Sequence, residues 1–396
     1  MRAQTSSYFN TVANVVEHRD VGHHQEALER CLHRLKEAMP ITGLRNPKIG
    51  RADYSWSYCG PYDWVVGFLA AQYWLALTLT GDQAFLNAAR ARRAVMRGIL
   101  RYRDAQDHDL GFQFSLTCVA DYLLTADREA REMALVAAEL LLSRYRTEGC
   151  YLQAWNPRSV HGESKPAFAN GRIIADTMQN LALLFWAHRE TGRNDFREAA
   201  DNHARTTMTH LVRDDARSYH TFLFDPATGA PLRGETHQGY AHDSCWSRGQ
   251  AWLIHGFAQS ALATGEADYL DTAVKLAHKA RELMADDDVP VWDFAVPDPK
   301  NDRRDSSAGA IMAAGVYIIA DLSDSGDAAQ WRSFGDKLVG GLLRSCDLTQ
   351  QAGALGLLAH GASHVNAGFS DNMLPYGDYY FMEALMRSLG HRDFFW

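Results

Sequence analysis

The chain alternates between segments that are apolar on nearly every side and segments that carry charge on one side only. The first kind is found at residues 67–79, 181–187, 251–263 and 308–320. The second kind is found at 88–103, 196–212 and 269–284. A helix that is apolar all round must be buried, whereas an amphipathic helix lies between a core and solvent. The pattern therefore predicts helical hairpins, each made of an inner and an outer helix.

Short polar turns separate the two helices of each predicted pair. At 77–85, 188–196 and 262–270 an apolar run ends in Thr-Gly, and an aromatic residue soon opens the next run. Weaker versions occur at 123–131 and 321–331. Glycine just after an apolar helix is a stop signal, because it accepts the left-handed backbone conformation there. These turns predict five hairpins, with no strand pattern between them.

Two further segments complete the count. A helix near 24–38 and one near 376–389 would form a sixth pair and close a ring. We therefore predict an all-α fold, an (α/α)6 barrel of two helical layers. An open helical solenoid is the alternative, and closure is favoured because each inner helix needs a neighbour on both sides. We interpret 1–396 as a single domain, in which 1–50 supply an N-terminal segment and the first outer helix.

Composition narrows the class of protein. The chain is 46% hydrophobic and 22% charged, which is ordinary for a globular protein, and its net charge of -8 argues against nucleic-acid binding. No apolar stretch is long enough to span a bilayer, and the first ten residues lack the features of a signal peptide. The six cysteines are scattered, which favours free thiols. We expect a cytoplasmic protein, or a periplasmic one if a leader was removed, with no membrane partner.

Polar and aromatic residues gather where the inner helices begin. They lie at 62–68, 107–114, 170–180, 237–252, 301–309 and 374–381. In a ring of parallel inner helices these segments meet at one end. The positive ends of the helix dipoles and unpaired N–H groups lie there, which suits a carboxylate or sulfate. We therefore expect the functional site at this end of the ring.

Asp176 lies near the start of an apolar helix, on the same face as Gln179, Asn180 and Leu183. A carboxyl group that faces the interior of the ring is desolvated, which raises its pKa and keeps it protonated near neutral pH. Such a group can act as a general acid. The alternative is that Asp176 serves only as a dipole partner or a structural hydrogen-bonding group.

Asp109 lies just before another inner helix. Asp is common as a helix N-cap, and a pocket role is the other interpretation. Two carboxyl groups that face one pocket are the minimum for glycoside chemistry.

Arg248 stands at the head of a buried helix, where an unpaired cation is costly. Its partner is either a substrate carboxylate or an internal acid such as Asp243 or Asp305, and the spacing does not decide between them. No metal-binding motif is found among the histidines, so we expect no metal and no cofactor.

Five segments resemble glycoside hydrolase family 88, the unsaturated glucuronyl hydrolases. They read HDLGFQF (108–114), IIADTMQNLALLFWA (173–187), QGYAHDSCWSRGQAW (238–252), VWDFAVPDPKNDRRDSSAGAI (291–311) and YGDYYFMEAL (376–385). The resemblance runs from about 56 to 390 in the expected order. It implies a six-hairpin α/α barrel. It also implies hydration of the C4=C5 double bond that polysaccharide lyases leave on a terminal uronic acid, with no cofactor.

The resemblance also implies roles for particular residues. Asp176 would be the general acid, and Asp109 the second carboxyl group, which holds sugar hydroxyls and helps to set the pKa of Asp176. The expected substrate-binding residues are Arg248, Gln238, His220, His108, Trp252, Trp155, Phe112 and Trp64. The expected partner is an oligosaccharide that ends in an unsaturated uronate.

Three rival functions stay open at this point. One is a related hydrolase that hydrates unsaturated rhamnogalacturonan fragments of pectin. A second is a conventional inverting glycosidase, and a third is a sugar-binding protein without catalysis.

Overall fold

A computed structural model describes residues 21–158 and 165–396. Its helices are α1 Val21–Thr42, α2 Phe68–Thr80, α3 Gln83–Arg90, α4 Arg93–Ile99, α5 Leu110–Phe114, α6 Ala120–Thr125, α7 Arg128–Leu142, α8 Pro166–Ala169, α9 Thr177–Thr191, α10 Asn194–His210, α11 Ser247–Thr264, α12 Ala267–Met284, α13 Ser306–Leu322, α14 Ser325–Ser345 and α15 Pro375–Ser388. A π-helical turn at Ser115–Val119 joins α5 to α6, so that these three pieces form one long inner segment.

The inner layer is a closed ring. Its members are α2, the α5–α6 segment, α9, α11, α13 and α15, and each packs against the next. The ring closes where α15 meets α2, and there the side-chain Nε2 of Gln72 donates to the Pro375 carbonyl at 3.0 Å. The predicted α/α barrel is confirmed, and the open solenoid is excluded.

The outer layer is formed by α1, α3 with α4, α7, α10, α12 and α14, each paired with an inner helix. The sixth pair is α15 with α1, as predicted from the two leftover segments. None of the helices in the described part of the chain combines the length and apolar character needed to cross a membrane. The single-domain interpretation stays a prediction, and residues 1–20 of it lie outside the described residues.

The Thr-Gly turns behave as predicted. Gly81, Gly192 and Gly265 follow α2, α9 and α11 with φ of 68°, 74° and 76°. Ala126 takes the same conformation after α6, with φ of 58°. The fifth turn differs, because Ser323 and Asp324 are extended between α13 and α14.

The sequence predicted one outer helix over 88–103, and the structure has two shorter helices, α3 and α4, in this region. The break between them lies at Ala91 and Arg92, where the backbone hydrogen bonds tighten to i→i+3 spacing. The Arg92 side chain turns inward, stays buried, and donates to the Gly43 carbonyl at 2.6 Å. The break therefore fastens this outer helix to the loop after α1.

Short strands lie between the helices, which the sequence did not predict. They are β1 Asn46–Gly50, β2 Trp56–Cys59, β3 Tyr145–Arg146, β4 Tyr151–Leu152, β5 Arg172–Ile174, β6 Thr221–Phe224 and β7 Pro231–Glu235. Each has at most five residues, too few for an alternating pattern to stand out. The antiparallel sheet β5–β6–β7 matters most, because β5 leads directly into α9.

Candidate active site

The β5–β6 pairing places Asp176 beside His220. Ile174 pairs with Thr221 in the register, so Asp176 follows one strand where His220 precedes the other. The Ala175 N–H donates to the His220 carbonyl at 3.0 Å and extends the pairing. The His220 Nε2 atom lies 3.9 Å from Asp176 Oδ2. A three-residue strand thus brings together two side chains that are 44 positions apart in the sequence.

The Asp176 carboxyl group is enclosed and largely unused by the fold. It occupies the N-cap position of α9, yet its side chain makes no capping hydrogen bond. Its Oδ2 atom is buried and has no hydrogen-bond partner among the described residues. Burial raises the pKa of Asp176 to about 7, and the nearby Arg248 guanidinium offsets only part of that rise. The carboxyl group is therefore poised to exchange a proton near neutral pH.

His220 presents an N–H to this carboxyl group. Its Nδ1 atom accepts hydrogen bonds from the backbone N–H groups of His237 and Gln238, both at 3.2 Å. The ring proton of the neutral imidazole therefore lies on Nε2. Burial lowers the pKa of His220 well below its ordinary value, so the ring stays neutral. Its ring packs on Trp246 with the centroids 4.1 Å apart.

Asp109 is brought to the same place by close packing of α5 on α9. A Cβ atom at Gly111 would lie only 2.3 Å from the Asn180 Cα, so only glycine permits this approach. The Asn180 side chain then accepts from the Phe112 N–H at 2.6 Å and donates to the Asp176 carbonyl at 3.2 Å. The starts of the two helices that carry Asp109 and Asp176 are thereby fastened together.

Asp109 also occupies an N-cap position without capping its helix, so the capping alternative does not explain it. Its Oδ2 atom lies 3.6 Å from His108 Nε2, and the Thr177 Oγ1 atom lies 3.1 Å from His108 Nδ1. Burial and repulsion by Asp107 and Asp176 raise the pKa of Asp109 well above its ordinary value. The site therefore holds two carboxyl groups that both resist ionisation.

Arg248 is paired with an internal acid, and that acid is Asp305 rather than Asp243. Its Nη1 group contacts the Asp305 carboxylate and donates to the Ala362 carbonyl at 2.7 Å, while Nη2 donates to the Ser363 carbonyl at 2.7 Å. Its Nε–H makes no hydrogen bond with the described residues. Gln238 Nε2 donates to the same Ser363 carbonyl at 2.8 Å. Arg248 and Gln238 are thus held side by side.

The four predicted aromatic residues fall into two groups. Phe112 and Trp252 are fully buried and 5.3 Å apart, and the half-buried Trp64 lies 5.8 Å from Phe112. Trp155 is separate from this group and lies 6.0 Å from the ring of His108. Stacking of any of them on a sugar stays a prediction.

Several residues near the site were not predicted. Phe168 stacks on Trp155 at 4.8 Å, and the ring of Tyr376 lies 5.4 Å from the Arg248 guanidinium. Tyr376 opens α15 within a segment that the sequence had marked as rich in polar and aromatic residues, so its position was recognisable but its partner was not. Among the described residues no group of three or more His, Cys, Asp or Glu side chains is placed to hold a metal ion.

Comparison with known proteins places this geometry in a family. A sequence profile described as Glycosyl Hydrolase Family 88 matches residues 51–316. The chain is 40% identical over 367 residues to the unsaturated glucuronyl hydrolase of Bacillus sp. strain GL1, an alignment that covers 92% of this chain and 96% of the relative. The crystal structure of that enzyme, described as responsible for the degradation of glycosaminoglycan, superposes with a TM-score of 0.86 at 36% identity, with the same shares covered.

Two streptococcal proteins extend the comparison. The unsaturated chondroitin disaccharide hydrolase of Streptococcus pyogenes serotype M1 is 32% identical over 367 residues, covering 91% of this chain and 90% of the relative. A mutant unsaturated glucuronyl hydrolase of Streptococcus agalactiae, complexed with dGlcA-GalNAc6S, superposes with a TM-score of 0.79 at 26% identity, covering 97% of this chain and 95% of that one. With the fold, the matched profile and relatives that span nearly its whole length, this chain belongs to glycosyl hydrolase family 88 and is a glycoside hydrolase.

Proposed function

We propose that this enzyme hydrates the C4=C5 double bond of the unsaturated uronic acid at the non-reducing end of lyase-generated oligosaccharides. Fragments of the glycosaminoglycan type are the favoured substrates, because the relatives named above act on such molecules. The observation that carries the proposal is the Asp176 carboxyl group. Its side chain is only 14% exposed, its Oδ2 atom is buried without a hydrogen-bond partner among the described residues, and burial raises its pKa to about 7. It can hold a proton at neutral pH and release it to a carbon atom.

The reaction begins with the proton on Asp176. The carboxyl group donates it to C4 of the vinyl ether, and positive charge develops at C5 and the ring oxygen. The resulting carboxylate takes a proton from water as that water adds to C5. The product is a hemiketal, which opens and releases the glycosidic oxygen as an alcohol, so that the uronate leaves as a keto acid. Protonation at carbon, not attack at the anomeric centre, is the step that requires an acid with a raised pKa.

Neighbouring groups support this step in different ways. The His220 Nε2–H, 3.9 Å from Asp176 Oδ2, is a neutral donor close to the developing carboxylate. Asp109 keeps its proton through burial, so it can both donate to and accept from sugar hydroxyls. These differences support separate tasks for the two aspartates.

Arg248 and Gln238 are proposed to bind the uronate carboxylate. The pairing of Arg248 with Asp305 does not prevent this, because the Nε–H of Arg248 points to no partner among the described residues. Asp305 instead fixes the guanidinium in place, since it also accepts from the Ser307 N–H at 3.1 Å as the N-cap of α13. A cation held rigidly in this way loses little entropy when it binds an anion.

A spectroscopic assay tests the proposal. Unsaturated uronates absorb in the near ultraviolet, and hydration destroys the absorbing double bond. We expect lyase-generated chondroitin and hyaluronan disaccharides to lose this absorbance, and the matching saturated disaccharides to stay intact when products are separated chromatographically. Cleavage of the saturated compounds would show a conventional glycosidase and overturn the proposal. A parallel panel with pectin-derived unsaturated fragments separates the remaining rival, because faster turnover of those would reassign the substrate.

A further inference from the structure

A second cavity lies outside the catalytic centre, behind the chain segment 153–157. It has a volume of about 480 Å³. Three arginines, Arg103, Arg144 and Arg146, line it together with the amides Asn156 and Asn170, and no carboxylate is among the described residues of its wall. The chain as a whole carries a net charge of -8, so a cavity wall with three cations and no acid differs in charge from the protein as a whole. We name it the arginine cavity.

Arg144 is built into the wall of the arginine cavity. It is only 7% exposed, and its guanidinium donates to the carbonyl groups of Gln153 at 2.8 Å and Gln106 at 2.7 Å, and to Asn156 Oδ1 at 2.8 Å. All of these acceptors are neutral. Asp107 and, more weakly, Asp109 attract this cation without a hydrogen bond to it, and burial lowers the pKa of Arg144 to about 10. A buried cation with only neutral hydrogen-bond acceptors would be stabilised by an anion in the adjoining space.

Arg103 and Arg146 complete the cationic wall from the rim. The Arg103 side chain makes no hydrogen bond or ion pair with the described residues, and it is exposed. Arg146 makes only two long contacts, from Nη1 to the carbonyl groups of Ser143 at 3.4 Å and Tyr145 at 3.3 Å. Both guanidinium groups can therefore turn their planar donor edges toward an oxyanion, the geometry in which arginine binds sulfate and carboxylate.

The cavity lies next to the proposed path of the substrate. Asn156 follows Trp155 directly in the chain, and consecutive Cα atoms are about 3.8 Å apart. Trp155 lies beside His108, whereas Gln153, Asn156 and Pro157 line the cavity, so the segment 153–157 separates the two sites. If the non-reducing end occupies the catalytic centre, as in the proposed function, the further sugars extend outward, and a path past the partly exposed Trp155 would bring them to the arginine cavity.

We propose that the arginine cavity binds a sulfate or carboxylate group of an acidic saccharide, outside the catalytic centre. The proposal rests on the proposed function for its source of anions, but the cavity itself would take any small oxyanion. We expect an unsaturated disaccharide to be too short to reach the cavity, whereas a tetrasaccharide carries a second uronate further from the catalytic centre. The cavity would thus favour longer acidic fragments.

The test compares substrate lengths in a double variant, Arg103→Gln with Arg146→Gln, which leaves the structural Arg144 in place. We expect the KM for an unsaturated chondroitin tetrasaccharide to rise about three- to tenfold, as two lost ion pairs predict. The kcat/KM for the disaccharide should be unchanged. A matched control, Arg128→Gln with Lys275→Gln, removes the same charge from two exposed positions that do not line the cavity and should leave both substrates unaffected.

A second measurement identifies the source of the anion and does not depend on activity. Thermal unfolding of the wild type in sodium sulfate is compared with that in sodium chloride at equal ionic strength, and the double variant is measured in parallel. A stabilisation by sulfate that the double variant loses supports the oxyanion site. If the double variant loses the stabilisation by sulfate while its KM for the tetrasaccharide equals that of the wild type, the cavity binds free anions, and the proposal that it binds an acidic saccharide is overturned. If neither quantity differs between wild type and double variant, the site is overturned, even where the wild type hydrates the disaccharide.

Discussion

Two carboxyl groups of the barrel differ in their partners and in their exposure, since the Glu383 side chain is fully buried and that of Asp176 is 14% exposed. Glu383, in the middle of α15, accepts hydrogen bonds from Arg387 at 2.8 Å and Trp396 at 2.8 Å, and lies 3.1 Å from His255 Nε2. Burial alone would raise its pKa, yet Arg387 and His255 together lower it to about 2. Asp176, at the start of α9, has no such partners, and burial raises its pKa to about 7.

The comparison shows that the partners of an acid inside the barrel determine whether it is charged at neutral pH. Glu383 is fixed in its charged form and joins α15 to α11 and to the last residue of the chain, so it contributes to cohesion. Asp176 is left able to change its charge, which weakens the fold at alkaline pH but gives a group that can transfer a proton. We therefore propose that the first carboxyl group serves the structure and the second the reaction. The following predictions test this division, from the largest expected effect to the smallest.

The largest effect is expected on turnover. Asp176→Asn keeps the shape of the side chain but removes the proton that is transferred, so kcat should fall by about 10³-fold or more. Asp378→Asn is the matched control, because burial also raises the pKa of Asp378 to about 7, although its side chain accepts from backbone N–H groups of the fold, those of Leu357 and of Leu358 at 3.0 Å. Steady-state kinetics should show that this control retains kcat within about twofold. Equal losses of kcat in both variants would mean that any acid with a raised pKa matters for turnover, and would contradict the specific role proposed for Asp176.

The second effect is expected on stability. Glu383→Gln leaves Arg387 and His255 buried without their charged partner, so the free energy of unfolding should drop by about 3–5 kcal/mol. The exposed Glu37→Gln, which removes an ion pair with Arg34 at 3.3 Å, should cost less than about 1 kcal/mol. Urea unfolding followed by circular dichroism measures both. A Glu383 variant that is stable but inactive would reverse the roles assigned to the two acids.

The third effect depends on pH. The pKa of Asp176 is raised on folding, so its contribution to stability is fully present below the pKa of the unfolded chain, near 4, and is lost as the pH rises through about 7. Asp176→Asn cannot ionise and escapes this loss. We expect the variant to gain on the order of 2–4 kcal/mol relative to the wild type between pH 5 and pH 8. Denaturant curves at the two pH values give the difference in the free energy of unfolding, and a constant difference would show that folding does not raise the pKa of Asp176.

The smallest effect concerns the pair Asp109 and Asp176. Burial and its acidic neighbours raise the pKa of Asp109 well above the ordinary value, and Asp109 is not among the groups that shift the pKa of Asp176, so we expect Asp109 to carry no charge where Asp176 titrates. Replacing a neutral carboxyl group with an amide then changes little electrostatically. The alkaline midpoint of kcat/KM should therefore move by less than about 0.5 pH unit in Asp109→Asn. A downward move of a full unit would identify Asp109 as the charged member of the pair.

Much of the fold could be read from the sequence because the barrel is built from local signals. The apolar runs marked the inner helices, and Gly81, Gly192 and Gly265 marked their ends. The failures lie where tertiary contacts decide. Nothing local distinguishes the break at Arg92, which follows from a buried hydrogen bond to Gly43. Strands of two to five residues take their pairing from the surrounding fold and so gave no pattern of their own.

The candidate site shows the same limit. The sequence pointed to Asp176 and Asp109, since acids that begin apolar helices are conspicuous. It could not choose between Asp243 and Asp305 as the partner of Arg248, because 57 residues and two helices separate Arg248 from Asp305. Nor could it show that Phe112 and Trp252 lie fully buried. The register of β5 on β6, which puts His220 beside Asp176, exists only once the sheet has formed.

The close approach at Gly111 has a consequence for how the chemistry is adjusted. With no side chain, this residue lets the start of α5 rest against Asn180, and the separation of the two acids follows from that contact. An added methyl group at Gly111 would push the start of α5 away from Asn180 without contacting either carboxyl group. The spacing of the two aspartates thus depends on the missing side chain at Gly111. A single added carbon atom there would change the distance between the two carboxyl groups, although it lies outside the candidate site.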